Sequence, residues 1–413
     1  MRKVVLCADI GTSSLKAAFI DIERERNGSR LIALVRVMYA AQAEFISGVQ
    51  PAQDLSPSAW ECAFQKAVTG LYRQKPEITI AALCISGNGP TLVPVAKDGT
   101  ALTTLHWYGK VKSDAALTSF FLPHVLWYQE KHPELFEKTA RIFSCQEWLS
   151  FRLGAEPVTV LPTKDYTPYY WDAAQLEHSG LDNALFPPLV LMGTLCGVVS
   201  KSASARFGIP ANIPIVTGGP DFIMALLGSG TVEPYRVCDR AGSSEGINVC
   251  IEASRKDKFC AHQGALRILP HALEGYWNVG AVIPESGSIF ERWRAENGCL
   301  GDNYDELLTR ILSADAPPHP TIHRMITQIL DALALLKTAG LPVTTMCLSG
   351  GQAKSLRWNN YKAQATGCVL LAPEILDCEL CGDAAVTMTA LGDAATTREA
   401  SELLVHIKNR FSP

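Results

Sequence analysis

Asp9-Ile10-Gly11-Thr12-Ser13-Ser14-Leu15-Lys16 follows the apolar run Val4–Ala8 and opens a second one, Leu15–Ile22. The pattern reads as a strand, a glycine turn with three hydroxyls, and a returning strand. Glycine lets backbone come close to a ligand. Turn N–H groups and hydroxyls can cradle phosphate oxygens, and Lys16 adds charge. Asp9, at the strand end, is placed to hold Mg²⁺ through water. A plain hairpin turn, with Thr and Ser satisfying their own backbone, explains the same residues equally well. The stretch is neither G-x-x-x-x-G-K-[ST] nor G-x-G-x-x-G, so P-loop and dinucleotide readings lose their fingerprint.

Outward from this turn, Leu31–Met38 follows the polar stretch Glu23–Arg30 and completes an antiparallel meander of three strands. Ser56 and Pro57 supply an N-cap and an N1 proline. Trp60, Phe64, Ala67, Val68 and Leu71 then recur at helical spacing, and Ile80–Ile85 is a further strand. Strand, strand, strand, helix, strand is the opening order of a ribonuclease-H-like lobe of the actin/hexokinase type. A similar alternation returns later: strands at Ile213–Thr217, Gly246–Glu252 and Thr344–Leu348, and helices from Phe222, over Ile322–Thr338, Leu356–Thr366 and Gly382–Leu391. On the long helix, Ile322, Met325, Ile326, Ile329, Leu330 and Leu333 are assigned to one buried face. The expected fold is therefore α/β, with two ribonuclease-H-like lobes, 1–212 and 213–413, and a nucleotide cleft between them.

Composition allows this. The chain has 413 residues, 47% apolar and 19% charged, enough for two large cores. Net charge is 37 − 41 = −4, with no basic stripe to mark a nucleic-acid partner. Arg2 and Lys3 could begin a secretory leader, but Asp9 cuts the apolar run that follows. Ile78–Ala96 lacks charge, yet Gly87, Asn88, Gly89, Pro90 and Pro94 break it into strand–turn–strand and not a membrane span. Thirteen cysteines, scattered through apolar segments, suit small core thiols in a reducing, cytoplasmic setting. Cys378 and Cys381 form a single C-x-x-C without the second pair that a metal site needs.

Three more loops carry candidate chemistry. Gly218-Gly219-Pro220-Asp221 leaves a strand and enters a helix. Asp221 could take the proton of an attacking hydroxyl, or could merely stabilise the helix N-terminus. Ala241-Gly242-Ser243-Ser244-Glu245-Gly246 resembles the first turn and could clasp phosphates, or be a simple turn. Ser349-Gly350-Gly351-Gln352-Ala353-Lys354-Ser355 again joins strand to helix, and its glycines permit flat packing of an adenine or ribose.

The order of these motifs resembles the FGGY carbohydrate kinase family, which includes xylulose, ribulose, gluconate and glycerol kinases. Val5–Lys16 is similar to the family's first phosphate motif. Ile85–Gly99 is similar to its "SGQ…LVxxDxxG" segment, Gly218–Gly230 to its "GGxDxxxxxxGxG" motif and Ser349–Trp358 to its adenosine motif. The resemblance implies Asp221 as general base and Asp9 in the metal site. It implies Gly11, Thr12, Ser13, Lys16, Gly242 and Ser243 at the phosphates. Gly350, Gly351 and Ser355 would lie at the nucleotide, and Asn88, Gly89, Trp107, Asp221 and Phe222 on the acceptor side. It implies an ATP- and Mg²⁺-dependent phosphotransferase acting on a small sugar or polyol, a xylulose-like ketopentose first. No nucleic acid or membrane partner is expected, and a homodimer is left open.

Some residues depart from the family pattern. Trp107-Tyr108-Gly109-Lys110-Val111 keeps the Trp of W-x-D-x-R and loses its acid. Asn88 stands for the usual Gln, Phe222 replaces a common Gln, and Glu245 places a carboxylate in the second phosphate loop. The stretch 294–321 is short. These departures favour the alternative reading, a catalytically impaired relative acting as a nucleotide- or sugar-binding sensor or partner subunit.

Overall fold

A computed structural model describes residues 2–23, 28–39, 56–107, 109, 111, 114, 116–312 and 319–413. The chain forms two compact units. The first runs up to Met224 and regains Asp383–Ala400; the second holds Ala225–Gly382 and Ser401–Pro413. The sequence placed the division at 212/213. It lies further on because the strand Pro214–Pro220 belongs to the first unit's sheet.

In the first unit, β1 (Arg2–Ile10), β2 (Ser14–Asp21) and β3 (Leu31–Met38) form the expected antiparallel meander. Helix α1 (Pro57–Gln74) then returns the chain to β4 (Ile78–Gly87), which pairs parallel to β1. The helix packs on β2 and β3 through its periodic residues. Trp60, Phe64, Ala67, Val68 and Leu71 are all buried, each stabilising the fold by about 1.5–3 kcal/mol where fully withdrawn from water, less for Ala67. Two small ribbons pair β5 (Leu92–Val95) with β6 (Arg141–Ser144) and β7 (Thr159–Leu161) with β8 (Leu189–Leu191). Helix α2 (Cys145–Leu153) starts at a capping box, in which the Glu147 carboxylate accepts from the Ser144 N–H at 2.7 Å and also from the Val160 N–H at 2.7 Å. Burial pushes that carboxyl up to about 7 despite the two N–H bonds. The sheet ends with β9 (Leu195–Val198) and β10 (Pro214–Pro220), in the order β3-β2-β1-β4-β10-β9.

Helix α3 (Asp221–Gly228) follows β10. The second unit's sheet has seven strands: β11 (Val237–Ala241), β12 (Glu245–Glu252), β13 (Arg267–Pro270), β14 (Tyr276–Ile283), β15 (Thr345–Ser349), β16 (Val369–Pro373) and β17 (Ile407–Phe411). Their order is β13-β14-β12-β11-β15-β16-β17. Helices α4 (Gly287–Glu296), α5 (Tyr304–Ile311), α6 (Pro320–Thr338) and α7 (Leu356–Thr366) accompany it, and α8 (Cys378–Ala390) passes from the second unit into the first at Asp383. On α6, Ile322, Met325, Ile326 and Ile329 are buried as the spacing predicted. Leu330 is not: it is 40% exposed, because it follows Ile329 directly and so points about 100° away around the helix.

The two sheets share one plan. β3-β2-β1-β4-β10 and β14-β12-β11-β15-β16 are each an antiparallel meander whose first strand has two further strands laid parallel beside it. That is the ribonuclease-H-like topology, present twice. Because the first and fourth strands are parallel neighbours, the meander's first turn and the loop leaving the fourth strand emerge at the same edge. Gly218, in β10, fits against β4 only because it lacks a side chain: an added Cβ would lie 2.1 Å from the Ile85 carbonyl oxygen. Gly218→Ala is expected to cost at least about 1–3 kcal/mol through overpacking against backbone. Gly219→Ala meets the flexible Met192 Sδ at 3.0 Å and should be milder. Thermal midpoints of the two variants check the contrast.

Candidate active site

Strand register assembles the candidate site of the first unit. Ile10 lies level with Gly87, and Gly87 with Pro220, so the ends of β1, β4 and β10 stand abreast. Adjacent strands are about 4.8 Å apart, so the chain after β1 and the chain after β10 are separated by about 10 Å across one intervening strand. Carboxyl ends of parallel strands are a recurrent place for ligands in α/β sheets. Asp9 and Asp221 both come from this edge.

The turn after β1 is tight. Gly11 donates its N–H to the Ser14 carbonyl at 3.0 Å. Gly11, Thr12 and Ser13 are half-buried. Lys16 Nζ lies 3.1 Å from Asp9 Oδ2. Asn88 donates its backbone N–H and its side-chain Nδ2 to the Ile10 carbonyl at 2.9 and 3.0 Å, and its Oδ1 accepts from the Thr91 hydroxyl. This buried amide thus fixes the loop beside the turn. Thr91 Oγ1 in turn accepts from the Trp107 N–H at 3.5 Å, which brings the exposed Trp107 indole to the same edge. Gly89 is exposed, and Asp221 and Phe222 are half-buried; Asp221 Oδ1 accepts the Phe222 N–H at 2.6 Å. Tyr108 and Lys110 lie outside the described residues.

Cys145 and Tyr39 complete this edge, and sequence reasoning missed both. The Cys145 thiol lies against Gly87, where an added Cβ would come within 2.6 Å of Sγ. It donates to the Asn88 carbonyl at 3.4 Å. Burial pushes the thiol well up, and the negative charges of Asp221 and Asp9 push it further. Both carboxylates therefore act on one buried group. Burial, with the Asp9 charge, likewise holds the Tyr39 phenol above its ordinary range. No motif marks either residue: each reads in sequence as an ordinary core position.

The second unit carries loops built on the same plan. The β11–β12 hairpin exposes Ser243 and Ser244 at its tip beside the half-buried Gly242, and the loop after β15 holds Gly350 and Gly351 beside it. Gly350 adopts φ +96°, and a Cβ there would lie 2.4 Å from the Ala241 carbonyl oxygen. Glycine is required on both counts. An added Cβ at the exposed Gly351 would meet nothing within 4 Å, which leaves a bare backbone surface. Ser355 does not join this surface. It is 3% exposed, caps α7 by accepting the Trp358 N–H at 3.2 Å, and donates its hydroxyl to Asp305. Its nucleotide assignment is corrected to a helix-capping one.

Glu245 also differs from its expectation. Its carboxylate turns away from the hairpin tip into the core, where Oε1 accepts from the Lys362 ammonium and Oε2 from the Ser286 hydroxyl. Asp239 accepts from the same ammonium. Burial raises the Asp239 carboxyl to about 8, with the Lys362 charge opposing and Glu245 adding to the rise. Burial would also raise Glu245, but the Lys362 charge and its hydrogen bonds hold it below the usual carboxylate range. The loop therefore presents no free carboxylate from Glu245 to a phosphate.

Among the described residues, no cluster of three or more His, Cys, Asp or Glu forms a metal site. Mg²⁺ needs no such cage, since it keeps several waters and takes few protein ligands beside phosphate. Asp9 fits that role. Cys378 and Cys381 are both buried.

A family model described as the FGGY family of carbohydrate kinases, N-terminal domain, matches residues 110–228. An autoinducer-2 kinase of Escherichia coli is 24% identical over 353 residues, which cover 71% of this chain and 65% of that protein. Over residues 110–228 the chain is similar to the FGGY family of carbohydrate kinases. An autoinducer-2 kinase of Klebsiella pneumoniae is 23% identical to this chain over 349 residues. The alignments span about two thirds of those relatives' own lengths, 65% and 64%. Among solved structures, a ligand-bound xylulose kinase from Lactobacillus acidophilus superposes with a TM-score of 0.75 at 16% identity, covering 100% of this chain and 94% of its own. Plasmodium falciparum glycerol kinase with ADP gives 0.73 at 14% identity, with coverage of 100% and 94%. The fold is thus that of the FGGY sugar kinases, of the actin/hexokinase type.

Proposed function

We propose that the protein is an ATP-dependent carbohydrate kinase, transferring the γ-phosphoryl group to a hydroxyl of a small sugar or polyol, a xylulose-like ketopentose first. The observation that carries this reading is the placement of Asp9 and Asp221 at one sheet edge, on either side of the end of β4, both acting on Cys145. Asp221 accepts the proton of the attacking hydroxyl. Asn88 fixes the loop on which the acceptor rests, and Trp107 offers it an exposed apolar face. Gly11, Thr12, Ser13 and Lys16 meet phosphates on the first unit, and Gly242, Ser243, Gly350 and Gly351 carry the nucleotide on the second. Bound Mg²⁺, anchored by Asp9, supplies neutralisation of phosphate charge.

The compensated Glu245 supports an active enzyme over an impaired relative, since it removes one of the departures that favoured the latter, a bare carboxylate in the phosphate loop. ADP release, followed with Mg²⁺ and ATP against pentuloses, hexuloses, polyols, aldonates and autoinducer-2, tests the reading. The expected result is acceptor-dependent turnover that is fastest with a ketopentose. Fastest turnover with autoinducer-2 would move the acceptor assignment to that of the sequence relatives. No acceptor-dependent turnover with any of them, alongside intact ATP binding, would instead support the sensor alternative.

A further inference from the structure

The second unit contains a chain of buried polar groups that the phosphoryl-transfer reading leaves unused. It begins at Lys362, whose side chain is 1% exposed and bonded to Asp239 and Glu245. Glu245 Oε2 accepts the Ser286 hydroxyl at 2.6 Å. Gln352 Nε2 donates at 2.9 Å to Ser286 Oγ and at 2.9 Å to the Gly242 carbonyl.

The polarity of this chain is fixed at one end. A carboxylate paired with an ammonium only accepts, so Ser286 must donate to it. The serine oxygen is then left to accept, and it takes one hydrogen of the Gln352 amide. The other hydrogen goes to Gly242. A charge in the core therefore sets which way an amide points at the loop. The backbone reinforces it: Gly287 N–H donates to the Gly242 carbonyl at 3.1 Å, and the Ser286 and Ser288 N–H groups donate to the Ser243 carbonyl at 3.0 Å each. With both carbonyls held inward, the hairpin tip is left in one shape.

We infer that Lys362, Glu245, Ser286 and Gln352 are positioning residues that hold the Gly242–Ser244 loop in the shape that receives the nucleotide's phosphates. This rests on the kinase reading above and adds to it a set of residues that touch no substrate. Ser286→Ala is the direct test, because it cuts the link between the ion cluster and the loop while leaving the cluster whole. Binding of a non-hydrolysable ATP analogue with Mg²⁺ is measured by calorimetry, and KM is measured for ATP and for the acceptor.

The expected result is analogue binding weakened about 10-fold, as for the loss of a buried hydrogen-bond relay, with the acceptor KM within about two-fold of wild type. Ser286→Thr, which restores the hydroxyl, should recover most of the affinity. Gln352→Met, which cuts the same link at its other end, should reproduce the loss and serves as the readout if Ser286→Ala unfolds. Unchanged analogue binding in the folded variants, with wild type binding normally, would overturn the positioning role alone. So would an equal loss in the acceptor KM. Absence of analogue binding by the wild type would overturn the kinase reading and this inference with it.

Discussion

Asp221→Asn should lower kcat by about 10²–10⁴-fold, the usual contribution of a general base, and leave nucleotide binding close to wild type. Asn has nearly the shape of Asp, and its carbonyl oxygen can still accept the Phe222 N–H that Asp221 accepts at 2.6 Å. The loop and the start of α3 therefore survive the change. What is lost is the basic oxygen that takes the acceptor's proton as its hydroxyl attacks phosphorus. Removal of the charge should also lower the Cys145 thiol, because Asp221 is the largest charge raising it, behind burial alone. ADP release and calorimetry supply the kinetic and binding arms. A variant that turns over like wild type would remove Asp221 from the role.

Lys362→Met should destabilise the second unit by about 3–5 kcal/mol, the cost of breaking a buried ion cluster by removing one partner. Methionine fills much of the lysine stem's volume, so the loss is electrostatic and not a cavity effect. The carboxylates of Asp239 and Glu245, fully buried, would face each other without the ammonium.

The pH dependence follows from the directions of their shifts. In the native protein Glu245 lies below the usual carboxylate range. Its contribution is present above that range and is lost as pH falls through it. Asp239, raised to about 8, works oppositely: its contribution is present at low pH and is lost as pH rises from about 4 towards 8. Without Lys362, Glu245 also moves upward, so the variant's deficit should be small near pH 5 and grow towards pH 8. Denaturant midpoints at the two pH values check this. A deficit independent of pH would show that the cluster is not ionised as described.

Much of the fold was readable from periodicity. The first three strands, α1, α6, α7 and the glycines that stop α6 and α7 follow from apolar spacing and turn chemistry that act within a few residues. The hydroxyl turn at Gly11 and the strand-end acids were readable for the same reason. The doubling of the ribonuclease-H-like plan was readable as a returning alternation of strands and helices, but its strand pairing was not, since that joins segments far apart in sequence.

Pairing decided the rest. That Ile10, Gly87 and Pro220 stand abreast depends on parallel register between strands far apart in sequence, and this alone brings Asp9 to the same edge as Asp221. Cys145 and Tyr39 enter the site through packing, which no local pattern encodes. Glu245 shows the same division most plainly. Its sequence position says that a carboxylate sits in a phosphate loop. Only the tertiary structure supplies Lys362, 117 residues away, whose buried charge turns that carboxylate inward. Local sequence fixes what a residue can donate or accept; which partner it finds is set by the dielectric and geometry of a core assembled from distant segments.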